Sequence, residues 1–142
     1  MQAAVLRSRC GCTESDQKAW VRDGVLGPIS AGFGPGIHAE YDEANVLAAA
    51  IALRMKRASV VVSRYAEAFA QLHAWLRARS ALEWRRYQVV LTPEGARFES
   101  ANVPLPADIS GFLVGLEGVC AAIQDGEQPG QLQLNFGLSL AG

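Results

Sequence analysis

Hydrophobic positions follow a helical period through the middle of the chain and a strand period near its end. Residues that recur at spacings of three and four predict one face of a helix that begins at Ser59: Val62, Tyr65, Phe69, Leu72 and Leu76. Hydrophobic residues that alternate strictly with polar or small ones predict a strand near the end: Leu132, Leu134, Phe136, Leu138 and Leu140. The helical stripe fits packing on the chain's own core and also a dimeric coiled coil.

The first residues predict two short helices that are joined by a tight turn. Gln2–Arg9 can form two helical turns, and Thr13 can cap a second helix, because its hydroxyl accepts from the free amides of the next turn. This second helix runs to about Asp23. Gly24 fits the left-handed position that ends a helix.

A long loop and a third helix follow. The segment 27–37 holds four glycines and two prolines, which predicts a long turn or wing rather than the interior of a regular element. Asp42 can cap a third helix, roughly Glu43–Met55, which is rich in alanine and leucine.

The second half predicts a hairpin and a fifth helix. Trp84–Leu91 and Ala96–Ala101 flank a turn at 92–95 that contains proline and glycine in the order typical of a hairpin. Asp108 can cap a helix that extends to about Gln124. With the alternating segment near the end, we expect three strands, and we expect the fifth helix to cover one face of their sheet.

Three glycines, Gly111, Gly115 and Gly118, would form a smooth stripe on this fifth helix, where close approach of another backbone would offset their cost. The predicted fold is therefore α+β. It consists of an N-terminal winged helix-turn-helix head at 1–58, a long linking helix at 59–82 and an α/β subdomain at 83–142, in which a small three-stranded antiparallel sheet packs with one helix.

Composition and charge are those of a globular protein. The chain has 142 residues, of which 50% are hydrophobic and 19% charged, and its formal net charge is −1. The charge is uneven, with an excess of two positive charges up to Ala66 and of three negative charges after it. The molecule as a whole is therefore no polycation, and any contact with phosphate depends on the local charge of the front half.

The three cysteines argue against a disulfide scaffold and predict a reduced, cytoplasmic protein. The apolar stretches are too short for a bilayer, so no membrane association is expected. Cys10 and Cys12 suggest a metal or redox pair, but Cys120 is distant in sequence, and a structural role is the simpler interpretation. No metal and no other cofactor is expected. With two histidines and no converging nucleophile and base, we expect no enzymatic activity.

The front half has the parts that a helix-turn-helix requires, which are a small turn residue, an apolar residue to seal the core and polar side chains on the second helix. Gly11 supplies the first and Cys12 the second. Trp20 would point inward, whereas Asp16 and other polar residues of the second helix would face outward. The candidate DNA contacts on this helix and beside it are Lys18, Arg22, Arg7, Arg9, Ser15 and His38.

Residues 3–60 resemble the DNA-binding head of the MerR-like transcription regulators. The shared features are the Gly-Cys-Thr turn at 11–13, the segment KAWVRDGVLGP at 18–28 and the segment GIHAEYD at 36–42. Lys18 stands where the family usually has arginine. Ala39 and Glu40 replace the usual basic residue of the wing, so that His38 is the nearest donor.

The resemblance implies sequence-specific binding of double-stranded DNA by a homodimer, transcriptional regulation, and a C-terminal part that serves dimerisation or senses a small-molecule or protein effector. Two other functions fit the same sequence. One is a phage- or plasmid-type DNA-binding component, such as an excisionase or a packaging or partition adaptor. The other is a protein–protein adaptor without DNA binding, which the near-neutral charge and Glu40 favour.

Overall fold

A computed structural model describes residues 1–32, 36 and 38–123. Two short helices come first, α1 (Ala3–Cys10) and α2 (Glu14–Arg22), and a loop leads to the longer helix α3 (Glu43–Arg57). A 3-10 helix (Val62–Tyr65) then precedes α4 (Ala66–Arg77) and the single turn α5 (Ala81–Trp84). Strands β1 (Tyr87–Thr92), β2 (Gly95–Ser100) and β3 (Phe112–Gly115) come next, followed by α6 (Leu116–Ala122).

The caps predicted for α2 and α3 are confirmed. Thr13 accepts a hydrogen bond from the Asp16 amide at 3.0 Å, and Asp42 accepts one from the Asn45 amide at 3.0 Å, each as half of a reciprocal capping box. Gly24 follows α2 with φ at 77°, the left-handed conformation that favours glycine. These local signals fix where α2 and α3 begin.

The loop between α2 and α3 has its two ends paired. Ser30 and Glu40 form an antiparallel bridge, in which the Glu40 amide donates to the Ser30 carbonyl at 2.9 Å. The base of the loop is further held by Asn45 of α3, which donates to the Gly27 carbonyl at 2.7 Å.

The long helix predicted for 59–82 is wrong as a single element. Ser59 has φ at 64° and Val61 is extended, so the chain cannot be helical there, and only the short 3-10 helix precedes α4. A second break follows Arg77, because Ser80 caps the separate turn α5 through a capping box with Glu83. The two breaks in the predicted helix do not prevent the residues of its hydrophobic stripe from packing together.

That stripe packs within the chain. Phe69, Leu72 and Leu76 are fully buried in a hydrophobic cluster shared with α1, α3, the sheet and α6. Beside them, the Trp75 ring stacks on Phe98 of β2 at 4.3 Å between centroids. Of the two interpretations left open by the sequence, these contacts match packing on the chain's own core.

The sheet is antiparallel, with strand order β2-β1-β3. The predicted hairpin of β1 and β2 is confirmed, with its turn between Thr92 and Gly95. The helix predicted for 108–124 is wrong over its first half. Gly111 has φ at 144°, which a helix excludes, residues 112–115 form the third strand, and Gly115 precedes α6 as its N-cap. Gly111 and Gly115 therefore mark a turn and a strand-to-helix junction, and of the three glycines predicted to form a helix stripe only Gly118 lies within a helix.

The described part is thus a mixed helix and sheet structure with one three-stranded antiparallel sheet, consistent with the α+β class. The strand predicted at 131–140 lies outside the described residues. Among the residues that are described, no helix combines the length and apolar composition needed to cross a bilayer.

Candidate nucleic-acid interface

Helix α2 is fixed to the core through one side. Trp20 is buried as predicted, and together with Val25 and Leu26, which are also buried, it anchors the C-terminal end of the helix. Gln17 is buried too, and its amide donates to the Tyr41 hydroxyl at 2.8 Å. Because Tyr41 directly follows the loop, this bond fixes α2 relative to the loop's end. Burial raises the pKa of Tyr41, which keeps the hydroxyl neutral.

The opposite side of α2 is open to solvent. Ser15, Lys18 and Arg22 are exposed at spacings of three and four, and we call these three residues the outer face of α2. The Lys18 side chain is 71% exposed and the Arg22 side chain 73%. Both are long cationic side chains on a helix whose opposite face is packed on the core. They can therefore contact a ligand without a change in the backbone.

Acidic residues accompany these cations. Lys18 pairs with Glu14 at 2.9 Å, and Arg22 pairs with Asp23 at 3.1 Å. The Lys18 ammonium lowers the pKa of Glu14, so that this carboxylate is charged at neutral pH. Exposed ion pairs of this kind contribute little to stability, and a phosphate can compete for either cation.

Asp16 does not lie on the outer face, contrary to the sequence interpretation. It is only 8% exposed, caps α2 together with Thr13, and accepts from the Lys56 ammonium at 2.5 Å. Burial alone would raise the pKa of Asp16, but the bonds from Lys56 and Thr13 outweigh it and the pKa is lowered. The charged carboxylate therefore links α2 to the end of α3.

A shallow groove of about 430 Å³ brings three of the predicted residues together. Arg7 of α1, Lys18 of α2 and His38 of the loop all line it, together with Gln17 and Tyr41. Arg7 donates to the Gln17 side chain at 3.1 Å, which directs its guanidinium toward α2. The groove adjoins the outer face of α2, since Lys18 belongs to both.

Arg9 lies apart from this surface. Its side chain is only 11% exposed and forms an ion pair with Glu43 of α3. It lines a different groove, between α3 and the second half of the chain, together with Trp84 and Cys120. The structure thus brings five of the six predicted residues onto one side of the molecule and places Arg9 elsewhere.

Sequence reasoning missed the residues that hold the loop and α2 in place. Lys56 reaches Asp16 across 40 residues, and Arg77 donates to both the Gly27 carbonyl and Asp42, at 2.8 and 2.9 Å. No local sequence pattern indicates such pairs, because the two residues of each pair come into contact only after α3 and α4 have packed. In the sequence, Asp42, Asn45 and Arg77 could be noticed only as polar residues in two largely apolar segments.

Comparison with known proteins returns no matching family model, no matching curated protein and no matching solved structure. Among the described residues, no group of three histidine, cysteine or acidic side chains is placed to hold a metal ion.

Proposed function

We propose that this protein binds double-stranded DNA in a sequence-specific manner through the outer face of α2, as a homodimer that regulates transcription. One observation carries the proposal. Ser15, Lys18 and Arg22 form an exposed polar row on a helix that is anchored beneath by Trp20. A helix that enters the major groove needs one face that is fixed to the protein core and an opposite face with long side chains that can form hydrogen bonds to DNA.

The groove beside the outer face supports the same role. Arg7 and His38 border Lys18 there, where the backbone of a duplex would pass if α2 lay in its major groove. In this arrangement Lys18 and Arg22 lie nearest the bases, while Arg7 and His38 contact phosphates. The paired base of the loop, Ser30 with Glu40, is where a wing would begin.

The homodimer rests on the MerR-like resemblance and on a physical argument. A single head of this size offers a small contact area, and two heads related by two-fold symmetry double the contacts to a palindromic site. The second half of the chain supplies the pairing surface or responds to an effector.

A protein–protein adaptor is the second candidate. The observation that favours it is the acid beside each cation of the outer face, Glu14 beside Lys18 and Asp23 beside Arg22. Such a nearly neutral surface of charged residues suits a protein partner of mixed charge. An adaptor would show no salt-dependent affinity for DNA, which separates the two functions.

The direct experiment selects bound duplexes from a randomised DNA library and measures their affinity by fluorescence anisotropy. We expect a two-fold symmetric motif that binds about 10³-fold more tightly than random duplex. In the Lys18→Glu, Arg22→Glu variant, we expect that binding to this motif is lost, because both reversed charges would face the DNA.

A matched control carries the same change of charge elsewhere. Arg86 and Arg97 are exposed in the second half of the chain, and the Arg86→Glu, Arg97→Glu variant should bind the motif as the wild type does. Circular dichroism and the melting temperature verify that each variant is folded. Unchanged binding by the Lys18→Glu, Arg22→Glu variant, or the same loss in both variants, would refute the assignment to α2.

A further inference from the structure

Two cysteines flank the turn between α1 and α2. Cys10 is the last residue of α1 and is half-buried, whereas Cys12 is buried with 8% of its surface exposed. Only Gly11 separates them, in the left-handed conformation with φ at 86°, and its amide donates to the Arg7 carbonyl at 2.8 Å.

The covalent geometry of this turn keeps the Cα atoms of the two cysteines close. A two-residue step spans at most about 7 Å even in an extended chain, and a left-handed turn is more compact. A disulfide accepts Cα separations of roughly 4.4–6.8 Å. Both side chains also lie on the inner side of the turn, since Cys12 belongs to the hydrophobic core and Cys10 packs against it.

We propose that Cys10 and Cys12 form an oxidisable dithiol, in which Cys10 attacks a hydroperoxide and Cys12 resolves the product to a disulfide. The half-buried position gives Cys10 access to a small oxidant. Cys12 is buried and only two residues away, so it provides a second sulfur that is shielded from solvent.

The environment of Cys10 favours its reactive form. The hydrogen bond from the Cys12 thiol lowers the pKa of Cys10 to about 7, against the opposing effects of burial and of the Asp16 charge. Cys10 is therefore more readily thiolate at neutral pH than an ordinary cysteine, and the thiolate is the nucleophile. Cys120 differs, because burial raises the pKa of its thiol.

The chemistry proceeds in two balanced steps. The Cys10 thiolate attacks one oxygen of the hydroperoxide, so that an S–O bond forms, the O–O bond breaks and an alcohol or water leaves after taking up a proton. The sulfur loses two electrons and becomes a sulfenic acid. The Cys12 sulfur then attacks the Cys10 sulfur, so that the S–S bond forms, the S–O bond breaks and water leaves with the Cys12 proton.

The first step also prepares the second. The pKa of Cys12 is raised by its hydrogen bond to Cys10, by burial and by the negative charge of Cys10. Conversion of Cys10 to a neutral sulfenic acid removes that negative charge. Cys12 then loses its proton more readily, and its thiolate attacks the adjacent sulfur.

The oxidised pair would alter the support of α2. A disulfide would withdraw the Cys12 side chain from the hydrophobic core, and Cys12 directly precedes Thr13, the residue that caps α2. That oxidation weakens DNA binding is a consequence that rests on the proposed function. The thiol chemistry itself does not depend on it.

The test treats the reduced full-length protein with hydrogen peroxide and follows its mass, with Cys120→Ser as the background. We expect the loss of two hydrogen atoms, reversed by a dithiol reductant, and a peptide that links Cys10 to Cys12. The Cys12→Ser variant should instead accumulate a sulfenic acid that dimedone traps at Cys10. In the otherwise unmodified chain, iodoacetamide should alkylate Cys10 at pH 7 at least about tenfold faster than Cys120.

Two variants at position 12 separate the hydrogen bond from simple packing. Cys12→Ser keeps a donor and should preserve the alkylation rate of Cys10, while Cys12→Ala removes it and should lower that rate about tenfold at pH 7. Equal alkylation of Cys10 and Cys120, or peroxide treatment that gives no Cys10–Cys12 disulfide, would overturn the proposal. If the reduced protein binds no DNA, the proposed function fails while the thiol result stands.

Discussion

Some single residues stabilise this fold only in one backbone conformation or one protonation state. Gly111 precedes β3 with φ at 144°, and a Cβ at this position would lie 2.7 Å from both the Leu91 carbonyl oxygen and a Val90 methyl. His73 is buried between α3 and α4, where Nδ1 donates to the Phe69 carbonyl at 2.7 Å. Its Nε2 then accepts from the Asn45 amide at 3.0 Å. Position 111 therefore requires glycine, and the two hydrogen bonds of His73 require its neutral form.

Gly111→Ala should destabilise the protein by about 2 kcal/mol or more, because the strained φ and the contact with a backbone oxygen add together. Urea unfolding, followed by circular dichroism, measures the loss. Gly27→Ala is the matched control, since no atom lies within 4 Å of its added Cβ, and it should change stability by less than about 0.5 kcal/mol. Equal stability of the two variants would contradict the geometry at Gly111.

Stability should fall as the pH drops below the unfolded pKa of histidine, about 6.5. Burial lowers the pKa of His73, and the nearby Arg77 charge adds to this, while the Phe69 carbonyl and Asp42 oppose it. The folded state therefore disfavours the proton, so full stability is present above pH 6.5. It is lost toward the lower folded pKa, by at most about 1.4 kcal/mol per pH unit.

Urea unfolding between pH 7.5 and 5 tests this, with His73→Gln as the non-titrating variant. Asp16 and Asp42 have lowered pKa values and stay charged in this range, while Cys10, whose pKa is lowered to about 7, contributes equally to both proteins. The account predicts a smaller loss in His73→Gln than in the wild type. The same pH dependence in both proteins would show that His73 is not the titrating group.

At the scale of elements, the sequence predicted what local chemistry controls. Three predicted features depend on neighbouring residues, namely the caps at Thr13 and Asp42 and the β1–β2 hairpin. The structure confirms all three. The predictions for 59–82 and 108–124 failed where tertiary contacts override helical spacing. Gly111 illustrates this, because its conformation is fixed by β1 packing against it rather than by its neighbours in sequence.

Helix α2 should depend on its cap. Thr13→Ala removes the hydroxyl that accepts from the Asp16 amide and should cost about 1 kcal/mol of stability, whereas Thr13→Ser keeps the oxygen and should cost less than half of that. Thermal unfolding of the two variants compares them directly. If both lose the same stability, the hydroxyl bond contributes nothing and the methyl group accounts for the effect.

At the scale of the molecule, one hydrophobic cluster joins the helical front half to the sheet. The sequence could indicate the outer face of α2, because helical spacing and the Thr13 cap place Ser15, Lys18 and Arg22 together. It could not indicate that Arg9 and Asp16 are engaged with α3, since their partners Glu43 and Lys56 are 34 and 40 residues away. Long-range ion pairs decide which charges remain available for a ligand.

The central claim is that the exposed cations of α2 bind duplex DNA, and the salt dependence of affinity tests it most directly. Each phosphate contact contributes a slope of about −0.9 to log K against log salt concentration. With Arg7 of each of the two heads on a phosphate, and the cations of α2 adding to this, the wild type should give a slope of about −2 or steeper between about 50 and 200 mM salt. An affinity that does not change over this range, or a duplex that does not bind at the lowest salt, would contradict the account.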